Sequence, residues 1–393
     1  MSRLAVVLFN LGGPDSLDSV KPFLFNLFND PAIIGAPAPV RWVLAKLISS
    51  RRAPIARAIY EQIGGKSPLV PQTEAQATAL TAALEARGVA DAVGVFLAMR
   101  YWHPMTRAAV DRVKAFKPDT VILLPLYPQY SGSTSGSSLT TWVRTAEKRG
   151  LTAETHTICC YPTQAGFVAA MARLTREGVE KARAHGRPRV LFSAHGLPKI
   201  SIEKGDPYQS QVEMTAAAIV AAMGVPDLDW VVCYQSRVGP LEWIGPDTDS
   251  EIERAGHDKV PAVVVPLAFV SEHSETLVEL DIEYGELAEA RGVPAYVRVP
   301  TVQADAAFID GLADLVTRAV RPESGDGCLI EAGPAKGRLC SQVGSRVCDA
   351  KWTMCPHVQS EETDIRNRDS KRADEGAHRE NGKTGKGNGG WNT

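Results

Sequence analysis

A chain of 393 residues with 44% hydrophobic and 22% charged side chains has the make-up of a soluble globular protein, long enough for two domains and a tail. Its formal net charge of −2 carries no basic excess, which argues against a nucleic-acid partner. No run approaches about 18 uninterrupted apolar residues and none near the start precedes a cleavage site, so neither a spanning helix nor a signal peptide is expected. The expected compartment is the cytoplasm, with the seven cysteines reduced or bound to metal.

In chain order, the apolar run at 4–9 predicts a buried strand that ends in Asn10-Leu11-Gly12-Gly13-Pro14, a tight turn opening a helix near 16–28. The paired glycines match neither G-x-G-x-x-G nor G-x-x-x-x-G-K-S/T, so no nucleotide is expected there. Residues 31–60 interleave Ile33, Ile34, Trp42, Leu47, Ile55 and Ile59 with Arg41, Lys46, Arg51, Arg52 and Arg57, and hold no acid. Such a stretch is either an amphipathic helix pair packed on the domain or a surface that touches lipid headgroups. A helix is expected at 73–87, a strand at 93–99, a helix near 106–116 and a strand at 121–126. The loops after these strands carry Arg100-Tyr101-Trp102-His103-Pro104 and the run from Tyr127 through Tyr130 and Ser131 to Thr134.

The second half echoes the first. Leu8-Phe9-Asn10…Pro14 recurs as Leu191-Phe192-Ser193…Pro198, residues 93–100 as 231–237, and 121–126 as 263–267, the last two at nearly equal offsets. Alternating strands and helices with an internal duplication predict an α/β fold of two similar Rossmann-like domains. Their boundaries fall at 1–160 and 161–321, with parallel sheets facing a central cleft and the final helix packing back on the first domain. From 322 to 393 the composition turns to Gly, Ser, Asn, Lys and Glu, predicting a mostly disordered tail, above all from Gln359 onward.

The cleft is where chemistry is expected, and two stretches supply it. At 191–198 a buried strand breaks at Ala194-His195-Gly196 and cannot pass Pro198, so His195 stands at a strand's carboxyl end. Its imidazole takes up a proton near neutral pH; a structural histidine in a turn is the alternative. The second stretch runs from Phe269 to Tyr284, where Ser271 or Ser274 caps a helix with Leu277, Leu280, Tyr284 and Leu287 on one face. Glu275, Glu279 and Glu283 recur at i, i+4 and i+8, either a solvated acidic face or the border of a cation path. The Ser-Glu-His-Ser-Glu cluster around His273 favours the cation path, since carboxylates with imidazole suit ferrous or similar ions. Arg100, Tyr101, Trp102, His103, Tyr127, Tyr130, Tyr234, Arg237 and Trp243 suit a broad, flat, apolar ligand with peripheral carboxylates.

Asn10-Leu-Gly-Gly-Pro14, Gly64-Gly-Lys-Ser-Pro-Leu69, Met99-Arg-Tyr-Trp-His-Pro104, Tyr127-Pro-Gln-Tyr-Ser131, Ser193-Ala-His-Gly-Leu-Pro198, Gly205-Asp-Pro-Tyr208, Gln235-Ser236…Trp243-Ile-Gly-Pro246 and His273-Ser-Glu-Thr-Leu-Val-Glu-Leu-Asp281 resemble the ferrochelatase family, in the same order, from about Arg3 to Arg321. The resemblance implies insertion of Fe2+, a substrate metal, into protoporphyrin IX between two chelatase-type domains without a nucleotide. It places the metal-and-proton histidine on His195 and the facing carboxylate on Glu275, both at the metal. His273 and Glu279 match neighbouring polar positions, Arg100 and Tyr101 residues at the macrocycle, and Tyr130 and Ser131 the loop beside it. The stretch 31–60 matches the family's lip segment, which adds an expectation of peripheral contact with the inner face of a membrane.

Some members of the family hold a 2Fe–2S cluster through tail cysteines and one internal cysteine near the Tyr-Ser-x-Ser loop. Here that loop has Gly132, and the candidate ligands Cys328, Cys340, Cys348 and Cys355 are spaced 12, 8 and 7 apart, wider than compact cluster runs. Cys159, Cys160 and Cys233 are expected as buried small hydrophobes. Competing readings are a coproporphyrin ferrochelatase, a cobalt or nickel chelatase for an acidic corrinoid precursor, and a tetrapyrrole carrier without catalysis. A Rossmann oxidoreductase is disfavoured by the missing glycine fingerprint. The sequence carries no signal for oligomeric state.

Overall fold

A computed structural model describes residues 1–237, 239–321, 328–330, 337–340 and 347–357, with 328–330 and 337–340 as backbone. The first half runs β1 (Arg3–Asn10), a 3-10 turn, α1 (Val20–Phe28), α2 (Ala38–Glu61), α3 (Leu69–Ala86), β2 (Ala92–Met99), α4 (Thr106–Phe116), β3 (Thr120–Pro125), α5 (Ser137–Arg149) and β4 (Glu154–Ile158). The second half runs α6 (Ala165–Arg183), β5 (Arg189–His195), α7 (Lys199–Glu203), α8 (Tyr208–Met223), β6 (Asp229–Gln235), α9 (Thr248–Asp258) and β7 (Ala262–Pro266). A π-helix (Glu275–Glu283), α10 (Tyr284–Ala290), β8 (Tyr296–Arg298) and α11 (Ala306–Val320) complete it.

The expected duplication is present in the strand order. The first half orders its strands β2-β1-β3-β4 and the second β6-β5-β7-β8, each four-stranded and parallel. The echoed segments are equivalent strands: β1 with β5, β2 with β6, β3 with β7. Near-continuous apolar runs explain why β1, β5 and β7 occupy inner positions covered on both faces.

Helix α11 buries Phe308, Leu312, Leu315 and Val316 and packs on both α6 and α3. That close packing leaves no room at Gly311, where a Cβ would lie 2.2 Å from the Gln164 Oε1. One apolar core consequently runs from Leu4, Val6 and Leu8 of β1 to Val190 and Phe192 of β5.

Two expectations need correction. Residues 31–60 form a single helix after a short turn, α2, which carries Pro54 in its interior. The tail also contributes structure. Strand β10 (Gly337–Cys340) pairs parallel with β4, and β9 (Cys328–Ile330) pairs antiparallel with β10, extending the first sheet. The disorder expected from Gln359 onward lies outside the described residues.

Candidate active site

Because both sheets are parallel, the carboxyl ends of β1, β3, β5, β6 and β7 open on one side, as the strand-end rule requires. There they enclose a cavity of about 1820 Å³. Its outer wall is apolar: Ile33 and Ile34 from the turn before α2, and Ile48, Ile55 and Ile59 from α2 itself. Its inner wall carries His195, His273, Glu275 and Glu279.

His195 ends β5, and its Nδ1 lies 3.0 Å from Glu275 Oε2. The same oxygen is 3.5 Å from His273 Nε2. The His195 and Glu275 side chains are 38% and 30% exposed, open to the cavity while sunk deep between the halves. Burial pulls the His195 pKa down, but the Glu275 charge and hydrogen bond, backed by Glu279, reverse this and set it above the ordinary histidine value. Burial alone would push the Glu275 carboxyl up; the His195 charge and bond, with His273, hold it well below the usual carboxylate range. Glu279 moves the other way, raised by burial and then by the Glu275 charge. Two neighbouring carboxylates thus have opposed proton affinities, the pattern of divided acid–base roles.

The backbone explains this placement. Glu275 opens the π-helix and Glu279 follows four residues later, both on the side facing β5 and β6. Gln235 Nε2 donates to the Glu275 carbonyl at 2.9 Å and to Glu279 Oε2 at 3.0 Å, while Ser236 N donates to Glu279 Oε1 at 2.7 Å. Behind them Arg298 pairs with Glu272 at 2.7 Å and Asp281 at 2.6 Å, gripping both the approach loop and the π-helix. From the first half, Gln76 Nε2 donates to the carbonyls of Val270 and Gln303 at 3.0 and 2.9 Å. The loop bearing His273 is therefore held from both domains.

Among the described residues no three His, Cys, Asp or Glu side chains sit closely enough to hold an ion as a group. Glu275 reaches both histidines, and His273 Nδ1 is buried without a hydrogen-bond partner. An incomplete donor set of this kind can receive a hydrated cation and give it up again, which a closed cage would not do.

The other expected site residues divide. Ser131 and Tyr101 line the cavity, whereas Arg100 and Tyr130 do not. Arg100 is committed to Asp30 at 2.7 Å and Ser137 Oγ at 2.7 Å, and Tyr101 also gives its hydroxyl to Asp30, at 2.8 Å. Tyr130 packs away from the cavity onto Cys159 and Cys160, while its neighbours Gln129 and Ser131 line the cavity. The buried Asp30, which organises Arg100 and Tyr101, was not among the sequence candidates. Nor were Gln235 and Ser236 as holders of Glu279, although both stand in a motif at the end of β6.

The thiols also group differently from expectation. Cys233 is a buried core residue, as expected. Cys159 and Cys160 are buried too, as expected, and place their Sγ atoms 3.3 Å apart. A second buried pair, Cys348 with Cys355, lies near enough that ionisation of Cys159 and of Cys348 is opposed by thiols of the other pair as well as by burial. Backbone pairing sets Cys340 opposite Ile158, beside Cys159, and Cys328 opposite Leu339.

Comparison with known proteins agrees with this architecture. A family model described as ferrochelatase matches residues 3–320. A ferrochelatase of Caulobacter vibrioides is 53% identical over 354 residues, covering 90% of this chain and 97% of that protein. A ferrochelatase of Phenylobacterium zucineum is 52% identical over 319 residues, covering 81% and 92%. Among solved structures, SirB from Bacillus subtilis with Fe3+ aligns with a TM-score of 0.50 at 10% identity, over 83% of this chain and 98% of that one, a likeness of fold alone. With residues 3–320 matched and the paired histidine and carboxylate at the mouth of duplicated sheets, the chain belongs to the ferrochelatase family.

Proposed function

We propose that this ferrochelatase inserts Fe2+ into protoporphyrin IX with His195 as proton acceptor and Glu275 as its counter-charge and metal contact. The observation that carries the reading is the 3.0 Å approach of His195 Nδ1 to Glu275 Oε2 on the inner wall of the cavity, across from its apolar outer wall. Metallation exchanges two pyrrole N–H protons for one divalent cation. Neutral His195 takes a pyrrole proton, and the imidazolium formed is stabilised by the Glu275 carboxylate beside it. The proton then leaves to solvent before the second is taken. Glu283, Glu279 and Glu275 all line the cavity and form the acidic row along which Fe2+ enters.

The apolar wall of Ile33, Ile34, Ile48, Ile55 and Ile59 suits protoporphyrin better than the more acidic coproporphyrin or corrinoid precursors. Arg52 and Lys204 on the wall are cations available to its carboxylates, whereas Arg237 is paired with Asp247. Arg100 acts one step removed, through Asp30 and Tyr101. Beyond the cavity, α2 exposes Trp42, Val43 and Leu47 among lysine and arginine side chains, which supports peripheral seating on a membrane. Among the described residues no helix is long and apolar enough to cross one.

The described thiols that a 2Fe–2S cluster would draw on are Cys348 and Cys355 of the tail and Cys159 and Cys160 after β4, no three of which are gathered closely enough here to hold an ion together. They form buried pairs rather than a single cage, and a cluster would supply one-electron chemistry and a cross-link between tail and body. Acid-labile sulfide and iron in anaerobically purified protein, both lost in Cys348→Ser, would establish it; their absence from the wild type would refute it.

Anaerobic incubation with Fe2+ and protoporphyrin should produce the haem spectrum. His195→Ala should lose roughly 10²–10⁴-fold in turnover, the scale of general-base assistance, while still binding porphyrin. Retention of more than a tenth of wild-type turnover would remove His195 from the chemistry.

A further inference from the structure

The described tail segment 347–357 lies against the two loops that form one flank of the cavity. Met354 N donates to the Gly205 carbonyl at 3.0 Å, and Thr353 Oγ1 to the Lys204 carbonyl at 3.3 Å. Gln211 bridges the other end, donating from Nε2 to Cys348 Sγ at 3.0 Å and accepting from Tyr130 N at 2.8 Å. The same two loops are already joined by the buried Asp206, whose Oδ2 accepts from Ser131 Oγ and Gly132 N at 2.9 Å each.

Both loops have lost their side chains where the segment touches them. A Cβ on Gly132 would lie 2.4 Å from Met354 Cε, and one on Gly205 would lie 2.2 Å from Thr353 Oγ1 and 2.8 Å from its nitrogen. Ordinary carbon contacts lie near 3.5–4.0 Å, so Gly205 admits no side chain while the segment is docked, and one at Gly132 would have to push the Met354 methyl aside. Gly205 also has a φ of +94°, which independently favours glycine. Met354 reaches past Gly132 to line the cavity itself, beside Ser131, Lys204 and Asp206. A thioether on a flexible chain is well suited to lie against an aromatic macrocycle.

We propose that segment 347–357 is a working part of the porphyrin cavity, with Met354 contacting the bound macrocycle, so that porphyrin binding and docking of the segment are thermodynamically coupled. The proposal rests on porphyrin occupying this cavity. Coupling of this kind is reciprocal: porphyrin must hold the segment down as much as the docked segment tightens porphyrin.

The test uses the full chain, with protoporphyrin IX titrated by fluorescence and amide hydrogen exchange followed over 347–357. In the wild type, porphyrin should slow exchange in this segment. Met354→Ala should weaken porphyrin binding by about fivefold or more and abolish the added protection, while Met354→Leu should keep both. Gly132→Ala, which displaces Met354 with little change elsewhere, should speed exchange of the segment before porphyrin is added. Normal porphyrin affinity in Met354→Ala, with no effect of porphyrin on exchange of 347–357 in the wild type, would overturn the coupling. Failure of the wild type to bind protoporphyrin at all would overturn the substrate reading together with it.

Discussion

His195 and Glu275 answer to opposite pressures, and pH separates them. With its pKa raised by the carboxylate, His195 stays protonated at pH values where an ordinary histidine, near 6.5, has released its proton. If the neutral ring is the acceptor, activity falls as pH drops through that raised value. The acid limb of kcat/KM should therefore sit above 6.5 in the wild type. Glu275→Gln keeps the shape and removes the charge, leaving burial to dominate, so the limb should move to lower pH while the rate also falls. A limb that stays in place would show that another group sets it. His195 was legible in the sequence because a strand ending in Ala-His-Gly-Leu-Pro leaves few places for the ring. Asp30 was not: nothing local marks a lone aspartate after α1 as the partner of Arg100, Tyr101 and Ser137, which come from elsewhere in the chain.

At the scale of elements, the row Glu275, Glu279, Glu283 was readable, but its helix type was not. A spacing of four places residues along one side in either an α- or a π-helix, and only tertiary contacts decide between them. Here Arg298 holds Asp281, and Tyr296 gives its hydroxyl to the Leu280 carbonyl, both contacts from β8. Arg298→Ala leaves Glu272 buried without its cation. Loss of one partner from a buried pair costs about 3–5 kcal/mol, and urea unfolding should show a midpoint lowered by that loss divided by the slope m. Arg298→Met, which keeps volume but not charge, should be no better; stability within 1 kcal/mol of wild type on the order of a surface change would discount the grip.

For the whole molecule, the duplicated order β2-β1-β3-β4 and β6-β5-β7-β8 could be anticipated because buried strands repeat as apolar runs at matching positions. The tail could not, since β9 and β10 are short and owe their strand conformation to the partner they meet. Residues 31–60 were legible in character but not in form: the helix pair expected there is one helix, α2, which runs through Pro54. The outward side of that helix leaves Trp42, Val43 and Leu47 exposed at 47%, 58% and 46%. Full burial of such side chains is worth roughly 1.5–3 kcal/mol each, so even partial insertion gives a measurable partition. Replacing all three with serine should reduce binding to anionic liposomes by about tenfold or more without lowering Tm. Equal sedimentation of the two proteins would dismiss a membrane role.

The two sheets finish their outer strands by different means. The second closes on β8, only three residues long, while the first ends on the longer β4, which β10 covers through Thr157 and Ile158. A chain ending at Arg321 would bare the ladder groups of β4 to any other strand, a template for self-association. Such a protein should sediment as larger species with rising concentration, and dilution should restore part of its activity. Loss of turnover on removing the tail is therefore informative about its thiols only when the truncated chain is shown to remain monodisperse.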